Sequence, residues 1–270
     1  LMNNNPVGVF DSGLGGLTVL KSLEKYFPNE SFIYFGDTGR VPYGNKSQKT
    51  IINYSIEISR FLLKKNVKLI VVACNTSSAL ALKTLKSIMP VPVFGVIEPS
   101  VFFTEKSYPS SEKIAVIGTS STISSQAYLE QFKILKSKKI IIEKACPLFV
   151  PLIEEGITDG EVAENVIKYY LKNFKKEDIK TFILGCTHYP IIKPALYKYL
   201  GNNVNLITSC SRLSVELSEY MLKNNCLSSK KKAETIFYVT DLPNKFLKLG
   251  SRFLGKNLKN INYIKTINEY

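Results

Sequence analysis

A chain with a single histidine, and with five cysteines of which no two form a C-x-x-C pair, lacks the ligands from which zinc modules are built. A zinc finger is not expected. The odd cysteine number argues against a disulfide scaffold as well. Long apolar runs are also missing. None approaches the roughly 18 to 20 residues that span a bilayer, and the longest, such as Leu69-Ile70-Val71-Val72-Ala73-Cys74, has the length of a buried strand. No basic stretch followed by an apolar one opens the chain, so no secretory leader and no membrane partner are expected, and the expected setting is the cytoplasm. Nucleotide fingerprints fail on spacing. Gly13, Gly15 and Gly16 follow the first strand candidate, but the third glycine of G-x-G-x-x-G would fall at Thr18, and no Gly-Lys-Ser/Thr follows a glycine loop.

What remains is a globular composition. The 270 residues are 45% hydrophobic, enough to pack two modest cores. The formal charge of +14 raises the question of nucleic acid. The lysines are scattered, however, with short clusters only at Lys136–Lys139 and Lys230–Lys232, which reads as a solvated surface that also helps attract a dianionic substrate. Nucleic acid is not expected as a partner.

Short β-branched or aromatic runs alternate with helix-length segments along the whole chain, among them expected helices over 77–89 and 120–136. Continuous apolar strands between helices point to parallel sheets covered on both faces, an α/β doubly wound architecture. An internal echo suggests that it occurs twice. Val7-Gly8-Val9-Phe10-Asp11-Ser12 resembles Ile114-Ala115-Val116-Ile117-Gly118-Thr119, and Leu69–Cys74 with Asn75-Thr76 resembles Phe182–Cys186 with Thr187-His188, at nearly the same offset.

In open parallel sheets, ligands bind beyond the carboxyl ends of the strands. Four segments there leave a strand through small polar residues and open a helix: Asp11-Ser12-Gly13, Cys74-Asn75-Thr76-Ser77, Gly118-Thr119-Ser120 and Cys186-Thr187-His188-Tyr189-Pro190. Backbone N–H groups at such turns receive carboxylates or phosphates. Cys74 and Cys186 each end an apolar run and precede polar residues, where a helix N-terminus would draw a thiol pKa from about 8.5 toward neutrality. Cys146, followed by Pro147-Leu148-Phe149, reads as packing; Cys210 and Cys226 have no matching context. His188, two residues beyond Cys186, suits a proton partner near neutral pH. Asp11 disfavours a neighbouring thiolate, so its expected tasks are orienting, accepting a proton or holding an ammonium group.

Together, Val9-Phe10-Asp11-Ser12-Gly13-Leu14-Gly15-Gly16, Pro42-Tyr43-Gly44, Ala73-Cys74-Asn75-Thr76, Gly95-Val96-Ile97-Glu98-Pro99 and Leu184-Gly185-Cys186-Thr187-His188-Tyr189-Pro190 resemble the glutamate racemase family of the aspartate/glutamate racemase superfamily, in order and spacing, over essentially the whole chain. The resemblance implies an isomerase that interconverts L- and D-glutamate without a cofactor or metal and supplies D-glutamate for peptidoglycan. It implies two α/β domains in a pseudo-symmetric arrangement around a central cleft, residues 1–97 plus 208–270 on the Asp11 and Cys74 side and 98–207 on the Cys186 side. By motif match Cys74 and Cys186 are the catalytic bases, with Asp11, His188 and Glu154 assisting; neighbouring Glu155 is the alternative acid. Asp11, Ser12, Pro42, Tyr43, Gly44, Asn75, Thr76, Thr119, Thr187 and His188 match substrate-binding positions. The family often dimerises, so a homodimer is carried as an expectation. Ser209-Cys210-Ser211 stands where many relatives have Ser-Gly, and Ser77-Ser78 where Ala-Ser is more usual. The rival readings are a racemase of aspartate or another small acidic amino acid, and a basic nucleic-acid-binding protein on the same fold.

Overall fold

The computed structural model describes residues 4–177, 179–230, 232–265 and 267. The first stretch carries β1 (Val7–Asp11), α1 (Leu17–Tyr26), β2 (Phe32–Gly36), α2 (Gln48–Lys64), β3 (Leu69–Val72), α3 (Asn75–Leu80), α4 (Leu82–Ile88) and β4 (Val93–Gly95). The middle carries α5 (Ile97–Ser107), β5 (Lys113–Gly118), α6 (Ser120–Ser124), α7 (Ala127–Ile134), β6 (Ile140–Ala145), α8 (Phe149–Glu154), α9 (Gly160–Lys176), β7 (Thr181–Gly185), α10 (Lys193–Leu200) and β8 (Asn205–Thr208). Then come α11 (Leu213–Lys223), β9 (Thr235–Val239), α12 (Pro243–Leu254) and β10 (Ile261–Tyr263).

These strands form two parallel sheets, in the orders β10-β9-β2-β1-β3-β4 and β6-β5-β7-β8. Leaving out β9 and β10, the first order is β2-β1-β3-β4, the same path through space as the second. The echo seen in the sequence is therefore a repeated topology. β1 corresponds to β5 at the centre of each sheet, and β3 corresponds to β7, the strands that run into Cys74 and Cys186. Parallel strands end on the same edge, so each sheet delivers its two echoed turns side by side.

Both sheets are buried on both faces, which is why β1, β2, β3 and β7 are buried along their whole length rather than alternating with solvent. On one face of the first sheet Phe10, Ile33, Phe35, Ile70 and Val72 pack against Ile58, Phe61 and Leu62 of α2 and Leu82 and Leu85 of α4. The second sheet repeats this with Ile114, Val116, Ile183 and Ile207 against Val101 of α5 and Tyr128 and Phe132 of α7. The opposite faces belong to one continuous cluster that takes in Val9, Tyr34 and Val71 of the first sheet and Ala115, Ile117 and Leu184 of the second. Burying each such Val, Leu or Ile contributes roughly 1.5 to 3 kcal/mol.

The expected helices over 77–89 and 120–136 are each broken in two. The first is interrupted at Ala81, with φ −115°. The second is interrupted at Gln126, in the left-handed region at φ 56°, where the Ser125 hydroxyl accepts the Ala127 N–H at 3.2 Å and starts a new helix. Neither break has a glycine or proline to announce it. At the amino edge of the first sheet, Lys68 just before β3 donates to Glu30 Oε2 at 2.5 Å and to the Cys226 carbonyl at 2.7 Å; both side chains are buried. Ser228 N donates to the other carboxylate oxygen at 2.6 Å, pinning the segment after α11 beneath the sheet. Lys68→Met would leave the Glu30 charge buried beside one backbone donor. It is expected to lower unfolding free energy by about 3 to 5 kcal/mol, read as a lower urea midpoint at unchanged slope. A loss below about 1 kcal/mol would show that water reaches Glu30.

Candidate active site

The carboxyl ends of the two sheets meet around a cavity of about 280 Å³. Its wall holds both thiols, Cys74 and Cys186, each only 5% exposed. Ser12, Asn75, Thr76, Thr119 and Thr187 add small polar groups from the four strand-to-helix turns, and Pro42, Tyr43 and Gly44 enter from the loop after β2. His188, Glu154 and Glu155 complete the side toward Cys186. The structure thus brings together every site residue expected from the sequence except Asp11. Val41, Asn45, Pro147, Val150 and Pro151 also line the cavity. Nothing local in the sequence marks these five, which arrive from the segment after β2 and from α8 and the turn before it.

Asp11 stands behind the wall. Fully buried at the end of β1, its carboxylate accepts the Gly13 N–H at 2.9 Å and the Thr187 hydroxyl at 3.3 Å. Burial raises its pKa, opposed by nearby His188 and by the hydrogen bonds from Gly13, Gly16 and Thr187.

Cys74 occupies the N-cap of α3, where the Ser77 N–H points at its sulfur at 3.5 Å, and its thiol reaches the Ser12 hydroxyl at 3.9 Å. The expectation that this helix start draws the thiol toward neutrality is overturned. Burial, with Asp11 next in weight, pushes Cys74 up to about 12, outweighing the hydrogen bond from the Ser77 N–H. A helix of six residues has little dipole to set against full desolvation. At neutral pH Cys74 is a thiol.

The other sulfur sits differently. Cys186 is followed by a turn and a short 3₁₀ helix, Tyr189–Ile192, whose N-cap is His188. His188 Nδ1 lies 3.9 Å from Cys186 Sγ, and Nε2 lies 3.1 Å from Glu154 Oε1. Burial works against the imidazolium, but the hydrogen bonds to Cys186 and Glu154 and their charges prevail and raise His188 to about 10. Glu154 is held below its ordinary value: burial opposes this, and the hydrogen bond and charge of His188 outweigh it. Of the two candidate acids, Glu154 is the one that meets His188; Glu155 is exposed and reaches Lys245 at 3.8 Å.

The sign of the linkage follows from these shifts. A histidine raised from 6.5 to about 10 lends stability that is complete below pH 6.5 and is lost as pH rises through 10. The depressed Glu154 lends stability present above 4.5 that is lost as pH falls through its lowered value. Glu154→Gln removes the partner charge, so His188 should deprotonate at lower pH. The alkaline fall of any activity that needs its imidazolium is expected to move at least about one pH unit toward neutrality, checked by a pH–rate profile. An unmoved alkaline limb would separate Glu154 from that proton.

Each cysteine turn is gripped by residues distant in the chain, most of them in the opposite half of the molecule. After Cys74, Asn75 bonds Ser209 and Tyr128, while the Thr76 hydroxyl lies 3.0 Å from Thr119 and 3.2 Å from Thr122. After Cys186, the Thr187 hydroxyl bonds Asp11, and its carbonyl accepts the Thr18 hydroxyl at 3.0 Å. Gly44 is held by Ser121, whose hydroxyl donates to its carbonyl at 2.8 Å. Tyr43 donates to Asp37, and burial and that carboxylate keep its phenol neutral. Chemically, the cavity offers two sulfurs that can trade a proton and a ring of O–H and N–H donors suited to carboxylates. Among the described residues no group of three or more His, Cys, Asp or Glu side chains is placed to hold a metal, and no lysine lines the cavity. No helix among them is long and apolar enough to cross a membrane.

Comparison with known proteins accords with this geometry. The sequence model of the family described as Asp/Glu/Hydantoin racemase matches residues 8–213. The chain is similar to the glutamate racemase of Geobacter metallireducens, 43% identical over 256 residues that cover 94% of each chain. It is similar in structure to the glutamate racemase of Francisella tularensis solved in complex with D-glutamate, with 40% identity, a TM-score of 0.92, and 99% of this chain and 100% of that one covered. The glutamate racemase isoform RacE1 of Bacillus anthracis superposes with a TM-score of 0.93 at 33% identity, covering 98% of this chain and 99% of that one.

Proposed function

This chain belongs to the Asp/Glu/Hydantoin racemase family, and from that premise we propose that it interconverts L- and D-glutamate by moving the α-proton between the thiols of Cys74 and Cys186. The observation that carries the reading is that both sulfurs, delivered by corresponding strands of two sheets and each only 5% exposed, border one small cavity. One sulfur, as thiolate, takes the proton from one face of Cα. The other, as thiol, gives its proton to the opposite face, and the two exchange roles with the handedness of the substrate. At rest Cys74 holds its proton, because burial and Asp11 push it up to about 12. A thiolate at Cys186 would be balanced by the His188 imidazolium that Glu154 sustains.

The α-proton is far less acidic than a thiol, so the site must stabilise the charge that develops at Cα and its carboxylate. Fixed donors in a dry cavity do so without reorganising. Ser12, Asn75, Thr76, Thr119 and Thr187 supply the polar contacts in this reading, with Pro42, Tyr43 and Gly44 shaping the remaining wall. Asp11 acts through Thr187 and through its charge on Cys74 rather than by touching the ligand.

Residues 1–97 with 208–270 and residues 98–207 are taken as the two lobes, a division supported by the strand membership of the sheets except at Thr208, the last residue of β8. The product D-glutamate would serve peptidoglycan synthesis in a cytoplasm whose reducing conditions suit five free cysteines. A homodimer belongs to the same reading, and a sedimentation mass of one chain would remove it.

The test incubates cofactor-free protein separately with L-glutamate, D-glutamate and L-aspartate in deuterium oxide. Each glutamate enantiomer should lose optical rotation and gain one deuterium at Cα, while aspartate stays unchanged. Glutamate that keeps its rotation sinks the proposal, and faster turnover of aspartate hands it to the sister activity.

A further inference from the structure

The side-chain amide of Asn75, on the cavity wall, is gripped at both ends by residues outside that wall. Its Nδ2 donates to Ser209 Oγ at 2.7 Å, and its Oδ1 accepts the Tyr128 hydroxyl at 2.6 Å. Tyr128 is fully buried in α7, and Ser209, just past β8, is 2% exposed. The amide cannot turn over freely. Ser209 commits its own proton to the Leu184 carbonyl at 3.4 Å, so its oxygen is left as an acceptor, and a flipped Asn75 would set carbonyl oxygen against hydroxyl oxygen. Tyr128, with one proton to give, favours the same orientation from the other end. One amide N–H is used by Ser209. The second has no protein partner among the described residues, and the wall position of Asn75 leaves it for the cavity.

We propose that Tyr128 and Ser209 are positioning residues that lock the Asn75 amide with its nitrogen toward the cavity, so that it presents a fixed N–H donor to a substrate carboxylate oxygen. The inference rests on the racemase reading above. Tyr128 lies in α7, between strands of the second sheet, and Ser209 follows directly on β8 where the chain leaves that sheet, whereas Asn75 follows β3 of the first. The same contacts that join the halves therefore orient the donor before substrate arrives, and preorganised donors lose no affinity to rotation. An unlocked Asn75 would spend part of its time showing the carboxylate its own carbonyl oxygen, which repels. The thiols are not touched by this lock, so binding should weaken more than proton transfer.

Tyr128→Phe removes one proton and leaves the ring in place. It is expected to raise KM for glutamate about tenfold, a hydrogen bond to a charged group being worth that order, with kcat within about threefold and the melting temperature within a few degrees. Ser209→Ala should do the same and serves if the phenylalanine variant folds poorly. Because Tyr128 acts through Asn75, Tyr128→Phe should add nothing to KM once Asn75→Ala is present. An unchanged KM in both single variants, or an equal increase from Tyr128→Phe with and without Asn75, overturns the inference while the active parent enzyme keeps the racemase reading. A parent chain that leaves glutamate unchanged overturns both.

Discussion

Cys74→Ser and Cys186→Ser are each expected to lower the racemisation of glutamate by about a thousandfold or more, in both directions, while the folded state persists. A positioned general acid or base contributes roughly 10² to 10⁴ in rate, and here each variant loses that contribution on one face of Cα whichever enantiomer is supplied. Serine retains the shape but not the chemistry: its hydroxyl is far less acidic than a thiol of about 8.5, so it neither waits as an anion nor recovers one after giving up a proton. Removing one sulfur also breaks the return path, since a single base delivers the proton back to the face it came from. The assay is the decay of circular dichroism from L- and from D-glutamate, with far-ultraviolet spectra as a check on folding. Cys210→Ser is the control: Cys210 does not line the cavity, and its sulfur lies 3.1 Å from the Thr208 hydroxyl. Near-normal activity in either active-site variant would remove that cysteine from the mechanism.

Much of this site is written locally in the chain, and the exceptions share a cause. Leu69–Cys74 and Phe182–Cys186 show their nature because an apolar run that stops at a small polar turn is the signature of a parallel strand reaching its carboxyl end. The repeated topology was visible in the same way, through two short echoes that proved to be corresponding strands β1 and β5, β3 and β7. What sequence could not show depends on residues far apart along the chain. The thiol of Cys74 sits high because Asp11 and complete burial surround it, and the helix start that suggested the opposite is six residues long. Glu154 rather than Glu155 meets His188 because of the angle at which α8 ends, which two adjacent glutamates do not disclose. Tyr128, Thr122 and Ser209 carry no motif at all; they matter because they reach Asn75 and Thr76 from far along the chain.

Gly15→Ala follows from that junction and is expected to lower kcat/KM about a hundredfold without replacing a group that handles protons. A methyl at Gly15 would lie 2.2 Å from Thr187 Oγ1 and 2.4 Å from His188 Nδ1, distances no real Cβ tolerates. Neither side can retreat cheaply. The Gly15 carbonyl accepts both the backbone N–H and the hydroxyl of Thr18, at 3.0 and 2.9 Å, and that hydroxyl also donates to the Thr187 carbonyl. On the far side His188 is held by Glu154 and packs edge-on against Phe253. The strain therefore falls on the turn after Cys186, moving His188 relative to the sulfur 3.9 Å away. A displacement of about 1 Å in such a constellation is enough for a hundredfold loss, and overpacking of this kind lowers stability by about 1 to 3 kcal/mol. Gly160→Ala separates the two effects. Gly160 has φ +77° but nothing within 4 Å, so alanine there should lower stability by about 1 kcal/mol through backbone strain and leave kcat/KM alone. If Gly15→Ala loses no more activity than Gly160→Ala at matched stability, the Cys186 turn has room to shift, and the close fit between the halves is not what holds His188 against its sulfur.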